Sequence, residues 1–121
     1  MKKIVFVLFF LFSFLIVKAD GLTVTYSRSY GLSNNSDNVK PFNLSGKIFI
    51  DYDNETITNY SSGQVVSRLY MYKYESSRDM KGNTVMVFYT TDSDGTGVRV
   101  DCYTDKVVYV YPGGRIIYTN D

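Results

Sequence analysis

The chain has 121 residues, with thirteen Lys and Arg against twelve Asp and Glu, twelve Tyr, one Cys, and no His or Trp. That length allows one domain at most. The lack of histidine excludes Ser-His-acid and Cys-His catalytic sets and the usual zinc ligand sets, and a single cysteine excludes an intramolecular disulfide and thiolate clusters.

Residues 1–19 read as a secretory signal peptide. Lys2 and Lys3 make a basic start, residues 4–17 are apolar apart from Ser13, and Val17-Lys18-Ala19 places small residues where a leader is cut. The apolar run is shorter than the ~20 residues a spanning helix needs, so a cleaved leader is favoured over an uncleaved anchor. No cysteine follows Ala19, which argues against a lipid anchor. The expected destination is secreted or periplasmic, with no membrane contact after cleavage. Cleavage removes Lys2, Lys3 and Lys18 and none of the acids, so residues 20–121 are slightly acidic. Such a chain has no electrostatic reason to bind nucleic acid or an anionic membrane. Five of the eight Phe leave with the leader while every Tyr stays, so the domain builds its bulk from a residue with a ring to bury and a hydroxyl to keep wet.

Residues 20–30 begin with LTVTYSRSY, in which Leu22, Val24 and Tyr26 alternate with Thr23, Thr25 and Ser27: a strand. Residues 31–40, GLSNNSDNVK, offer little to bury and read as a mobile surface loop; Pro41 closes it. The lead-in runs to residue 45, with Phe42 and Leu44 expected under the sheet. KIFIDY is a strand with Ile48, Ile50 and Tyr52 on one face. Asp53-Asn54-Glu55 turns the chain, TITNY returns, and Ser61-Ser62-Gly63 turns it again. Residues 64–75 form a long strand, with Val65, Ser67, Leu69, Met71 and Lys73 on one face and Val66, Arg68, Tyr70, Tyr72 and Tyr74 on the other. Strict alternation without a 3.6-residue apolar stripe rules against a helix there.

Residues 76–83 read as a loop. Residues 84–104 then form a hairpin around DSDGTG, with Met86 and Phe88 on one face, Val85, Val87 and Tyr89 on the other, and Val98, Val100 and Cys102 sharing a face past the turn. Asp105-Lys106 turns, residues 107–111 form a strand, Pro112-Gly113-Gly114 turns, and residues 115–118 form the last strand. About eight short strands with short links make an all-β domain over 20–121, an antiparallel meander. It is expected to close into a small barrel or remain a strongly curved sheet, with a sandwich as the alternative, because several strands carry apolar residues on both faces.

The most specific feature is Tyr70, Tyr72 and Tyr74, three phenols in a row about 7 Å apart on an ideal strand. Such a row can stack a sugar ring or anchor a partner protein; equally, it can cover one side of the core. Cys102 shares its parity with Val98 and Val100 and reads as a buried apolar residue rather than a reactive thiol. Asp92-Ser93-Asp94-Gly95-Thr96-Gly97 looks partly like a calcium loop, but Tyr103 stands where the bidentate glutamate belongs, so a hairpin turn is the better reading. Asp51, Asp53 and Glu55 form a second acidic group, and a carboxylate-based hydrolase would need two of these acids to converge. No phosphate-binding loop or dinucleotide fingerprint occurs, and no cofactor or metal is expected. Triplets beginning at Asn34, Asn43, Asn54 and Asn59 match the glycosylation pattern.

KIFIDYDNETITNY and TTDSDGTGVRVDCYTD together resemble the small exported all-β proteins of Gram-negative gut and environmental bacteria, over roughly residues 46–118. In those, a strand–Asp–turn–strand unit comes early and an acidic Asp-Gly turn with a Cys-containing strand comes late. The resemblance implies an exported all-β domain and carries no activity. Lipocalin-like barrels are a more distant comparison by strand count. The expectation is an exported, non-enzymatic binding or interaction module for a protein or glycan partner. The alternatives are a self-assembling envelope protein and, behind it, the small hydrolase.

Overall fold

A computed structural model describes residues 15–18, 21–33, 39–41 and 45–120, with backbone alone for 15–18 and 39–41. Val, Ile, Thr and Tyr dominate these segments, and their side chains suit a pleated surface better than a helix. The result is all-β. The strands are β1 (Leu15–Lys18), β2 (Gly21–Tyr26), β3 (Arg28–Ser33), β4 (Val39–Pro41), β5 (Gly46–Asp51) and β6 (Thr56–Ser61). They continue with β7 (Gln64–Arg78), β8 (Thr84–Thr91), β9 (Gly97–Cys102), β10 (Lys106–Tyr111) and β11 (Gly114–Thr119). All lie in one antiparallel sheet, ordered β1-β2-β5-β6-β7-β8-β9-β10-β11-β3-β4.

From β5 to β11 the spatial order is the chain order, as a meander requires. β2 and β3 close it. They are one strand bent at Ser27: the first half pairs with β5 and the second with β11. At the bend the Ser27 N–H donates to the Thr119 carbonyl at 2.8 Å. The bend also resets parity, since Tyr26 faces inward and the next buried side chain is Ser29. Sharing one bent strand between both ends curls the sheet almost into a barrel, which leaves few backbone groups unpaired.

Cross-strand register explains the core. Leu22, Ile50, Ile57 and Leu69 stand opposite one another across β2, β5, β6 and β7. Met86, Cys102, Val107 and Tyr118 do the same across β8 to β11, as do Phe88, Val100, Tyr109 and Ile116. All but the partly buried Ile116 are buried, and together they fill the interior. Each fully buried aliphatic or Phe side chain is worth roughly 1.5–3 kcal/mol of transfer free energy. Tyr26 joins across the closure, with its ring 4.7 Å from that of Tyr118, which meets Tyr109 edge-on at 5.1 Å.

Two expectations need correction. Residues 31–33 and 39–41 are not loop but strand: Gly31 and Leu32 pair with β11 on one side and with β4 on the other. Their polar composition hid this because what recruits them is closure, not a buried face of their own. Residues 34–38, the centre of the expected loop, lie outside the described residues, as do Phe42 and Leu44. Residues 76–78 extend β7, so the loop there is only 79–83. β1 falls within the expected leader and pairs with Gly21–Val24; residues 1–14, 19 and 20 lie outside the described residues.

Candidate functional site

β7 does not keep one parity along its length. Asn59 pairs with Ser67 but Tyr60 with Val65, so Val66 is an extra residue. Met71 pairs with Thr90 but Lys73 with Tyr89, so Tyr72 is a second. Each is a β-bulge, which re-aims the side chains around it. Upstream of Tyr72, Leu69 and Met71 point inward; downstream, Tyr74 points inward and Lys73 and Glu75 outward.

The expected row of three tyrosines therefore does not form. Tyr70 and Tyr72 stand outside, 46% and 68% exposed. Tyr74 turns in and packs against Tyr52 at 5.4 Å and Phe88 at 5.9 Å. Burial pushes its phenol pKa up. Nothing in the sequence distinguishes Tyr74 from Tyr72; the signal is the register shift, which only the ladder reveals.

The outer face of β7 carries most of the exposed apolar side chains, with Val65 brought onto it by the first bulge. Val65, Val66, Tyr70 and Tyr72 are four of the five large hydrophobic side chains exposed among the described residues, the other being Met80 in the 79–83 loop. Beside Tyr72 lies a trough of about 360 Å³, walled by Tyr89, Arg99, Val110, Tyr111 and Pro112. Its polar wall is held in place. Arg99 grips Asp101 with Nε at 3.0 and 3.2 Å and Nη2 at 3.0 Å, and this bond to Asp101 raises the guanidinium pKa. The Tyr89 hydroxyl donates to Glu75 at 2.9 Å, which holds its proton on and raises its pKa, while Lys73 stands 5.2 Å over the Tyr89 ring and 3.8 Å from Glu75.

A second groove, about 650 Å³, lies on the outer face of β2, β5 and β6. Its wall includes Thr23, Thr25, Lys47, Phe49, Tyr60 and Ser62, with the Lys47 ammonium 5.9 Å from the Tyr60 ring centre. Sequence reasoning missed it because Phe49 and Tyr60 sit on different strands, and only the pairing of Lys47 with Tyr60 brings that wall together.

The acidic groups do not converge. Successive hairpins of an antiparallel meander point to alternate ends, so the β5–β6 turn with Asp51, Asp53 and Glu55 and the β8–β9 turn with Asp92 and Asp94 lie at opposite ends. Their oxygens serve the backbone. Asp92 Oδ1 accepts the N–H groups of Asp94 and Thr96, both at 2.9 Å, and Asp51 accepts the N–H and the side-chain amide of Asn54. Among the described residues, no three His, Cys, Asp or Glu side chains gather as a metal site would need. Cys102 is buried, as its parity implied, and burial drives its thiol pKa far up. Asn59 is buried too and accepts the Tyr26 hydroxyl at 2.7 Å, so its triplet cannot carry a glycan.

No family model, curated protein or solved structure matches this chain.

Proposed function

We propose that the protein is an exported, non-enzymatic binding module that engages a protein or glycan partner through the outer face of β7. The observation that carries this reading is the concentration of exposed apolar side chains on that one strand. Isolated exposed hydrophobics are ordinary, but four on one strand, two of them beside or close to a trough, favour an interaction surface. Tyr suits the role, since its ring gives area at low entropic cost and its hydroxyl tolerates water. Two bulges on one strand are a costly way to build a plain barrel wall; they turn Val65 outward beside Val66 and swing Lys73 outward beside Tyr72.

The test is capture from the native compartment, together with a glycan array, using the exported protein and a Tyr70→Ser/Tyr72→Ser variant. Both positions are exposed, so the variant should keep its melting temperature, within roughly 0.5 kcal/mol per site. Partner or glycan binding should fall at least tenfold. Equal binding by both proteins would refute the role of this face.

A further inference from the structure

We propose that the exported protein is a two-fold dimer joined through β2, in which the β2 strand of a second copy takes the place that β1 holds in the full chain. The proposal rests on the export reading above, because cleavage after Ala19 falls between β1 and β2.

β2 is flanked on one side by β5 along its whole length. On the other side β11 reaches only as far as Ser27, whose N–H takes the Thr119 carbonyl. The rest of that edge is covered by β1, with Leu15 opposite Val24, Ile16 opposite Thr23, Val17 opposite Leu22 and Lys18 opposite Gly21. Alternate residues of an antiparallel strand direct both N–H and C=O to one side, and the Ser27 N–H bonds toward β11, so Gly21 and Thr23 direct theirs to that same side. The same alternation sends the N–H and C=O of Thr25 to that side. Cleavage after Ala19 strips β1 away. Gly21, Thr23 and Thr25 then present a bare backbone edge on a short strand without a bulge, which is a template for another strand.

The occupant can be read from the pairing. β1 is Leu-Ile-Val-Lys, and residues 22–25 are Leu-Thr-Val-Thr. A second β2 laid antiparallel about a two-fold axis at Thr23 puts Val24 opposite Leu22 and Leu22 opposite Val24. These are the same residue types that Val17 and Leu15 supply in the full chain. Thr23 faces its own copy, and Thr25 faces Gly21. All positions keep the parity that the ladder requires, so the second copy restores the hydrogen bonds and the apolar pairs together. Such an interface is isologous, which closes the assembly at two. It also sets two copies of the groove containing Thr23, Thr25 and Phe49 side by side across the axis.

The experiment is light scattering, intact mass and amide hydrogen exchange on the protein recovered after export. A chain beginning at Asp20, a concentration-dependent dimer, and protection of the Gly21, Thr23 and Thr25 amides that rises with concentration are expected. Thr23→Pro removes an N–H that bonds nothing within the cleaved monomer, and should abolish the dimer while leaving the β-type circular dichroism intact. Thr23→Lys sets two ammonium groups opposite each other and should do the same through an outward side chain, should the proline disturb the fold. A recovered chain that still carries residues 15–18 overturns the cleaved-leader reading and, with it, the dimer. A correctly cleaved chain that stays monomeric, or a dimer that survives both substitutions, overturns the dimer alone and leaves capture through Tyr70 and Tyr72 standing.

Discussion

Tyr72 and Tyr74 are two residues apart, identical in type, and opposite in consequence. The bulge leaves one in solvent and buries the other against Tyr52 and Phe88. Tyr74→Ala removes a ring from an aromatic cluster and should cost about 2 kcal/mol, below the full-burial figure because the ring is only partly covered. Tyr72→Ala should cost almost nothing. Urea denaturation of both variants checks this, and equal losses would mean that β7 runs without the bulge. The contrast also marks where sequence reading stops. Period two put Ile48, Ile50 and Tyr52 on one shared face, Met86 and Phe88 on another, and Val98, Val100 and Cys102 inward; all eight are buried. It cannot register an inserted residue, because a bulge changes no composition and leaves the alternation intact on both sides of itself.

Among the elements, the loops at 79–83 and 92–96 are the same device built twice. In each, an aspartate accepts the N–H groups two and four residues on through Oδ1, and its carbonyl accepts the N–H of a glycine three residues on. Those glycines, Gly82 and Gly95, have φ of 84° and 85°, a region that side chains resist. The sequences DMKGN and DSDGT share only Asp and Gly, the two residues the geometry needs. What looked like part of a calcium loop is thus turn chemistry, and the resemblance of its twin to nothing ionic confirms the physical reason. The N–H of Asn83, followed by that of Lys81, holds the Asp79 carboxyl below the ordinary carboxylate range. A depressed folded-state pKa contributes stability that is present above the unfolded value, near 3.9, and is lost as pH falls through the folded one. Asp79→Asn should therefore flatten the acid limb of the melting-temperature profile below about pH 4. Parallel profiles for the two proteins would show that the bonds do not favour the charged form.

For the whole molecule, the decisive contacts are the most distant in sequence. β3 meets β11 with some eighty residues between them, and Tyr26 reaches Tyr118 across the same seam. The meander from β5 to β11 was legible from turn spacing and alternation. Residues 20–30 were legible as a strand, but the closing role was not, nor its extension over 31–33, since Arg28–Ser33 carries no strong apolar pattern. Its pairing is dictated by the free edge of β11, which is a property of the finished sheet rather than of any local stretch. Topology of this kind folds slowly, because loop entropy is spent before the seam can reward it.

Cys102 faces the interior from β9, with Met86 and Val107 as its cross-strand neighbours on β8 and β10, and is buried. Its thiol is held in the unreactive, protonated form by the same burial. The chain thereby carries a silent gauge of its own integrity. A thiol-specific dye should label the native protein only as fast as the wall of strands around Cys102 parts, and at once in denaturant. Labelling that proceeds at the rate of a free thiol under native conditions would mean that the wall opens far more often than so continuous a ladder of pairings permits.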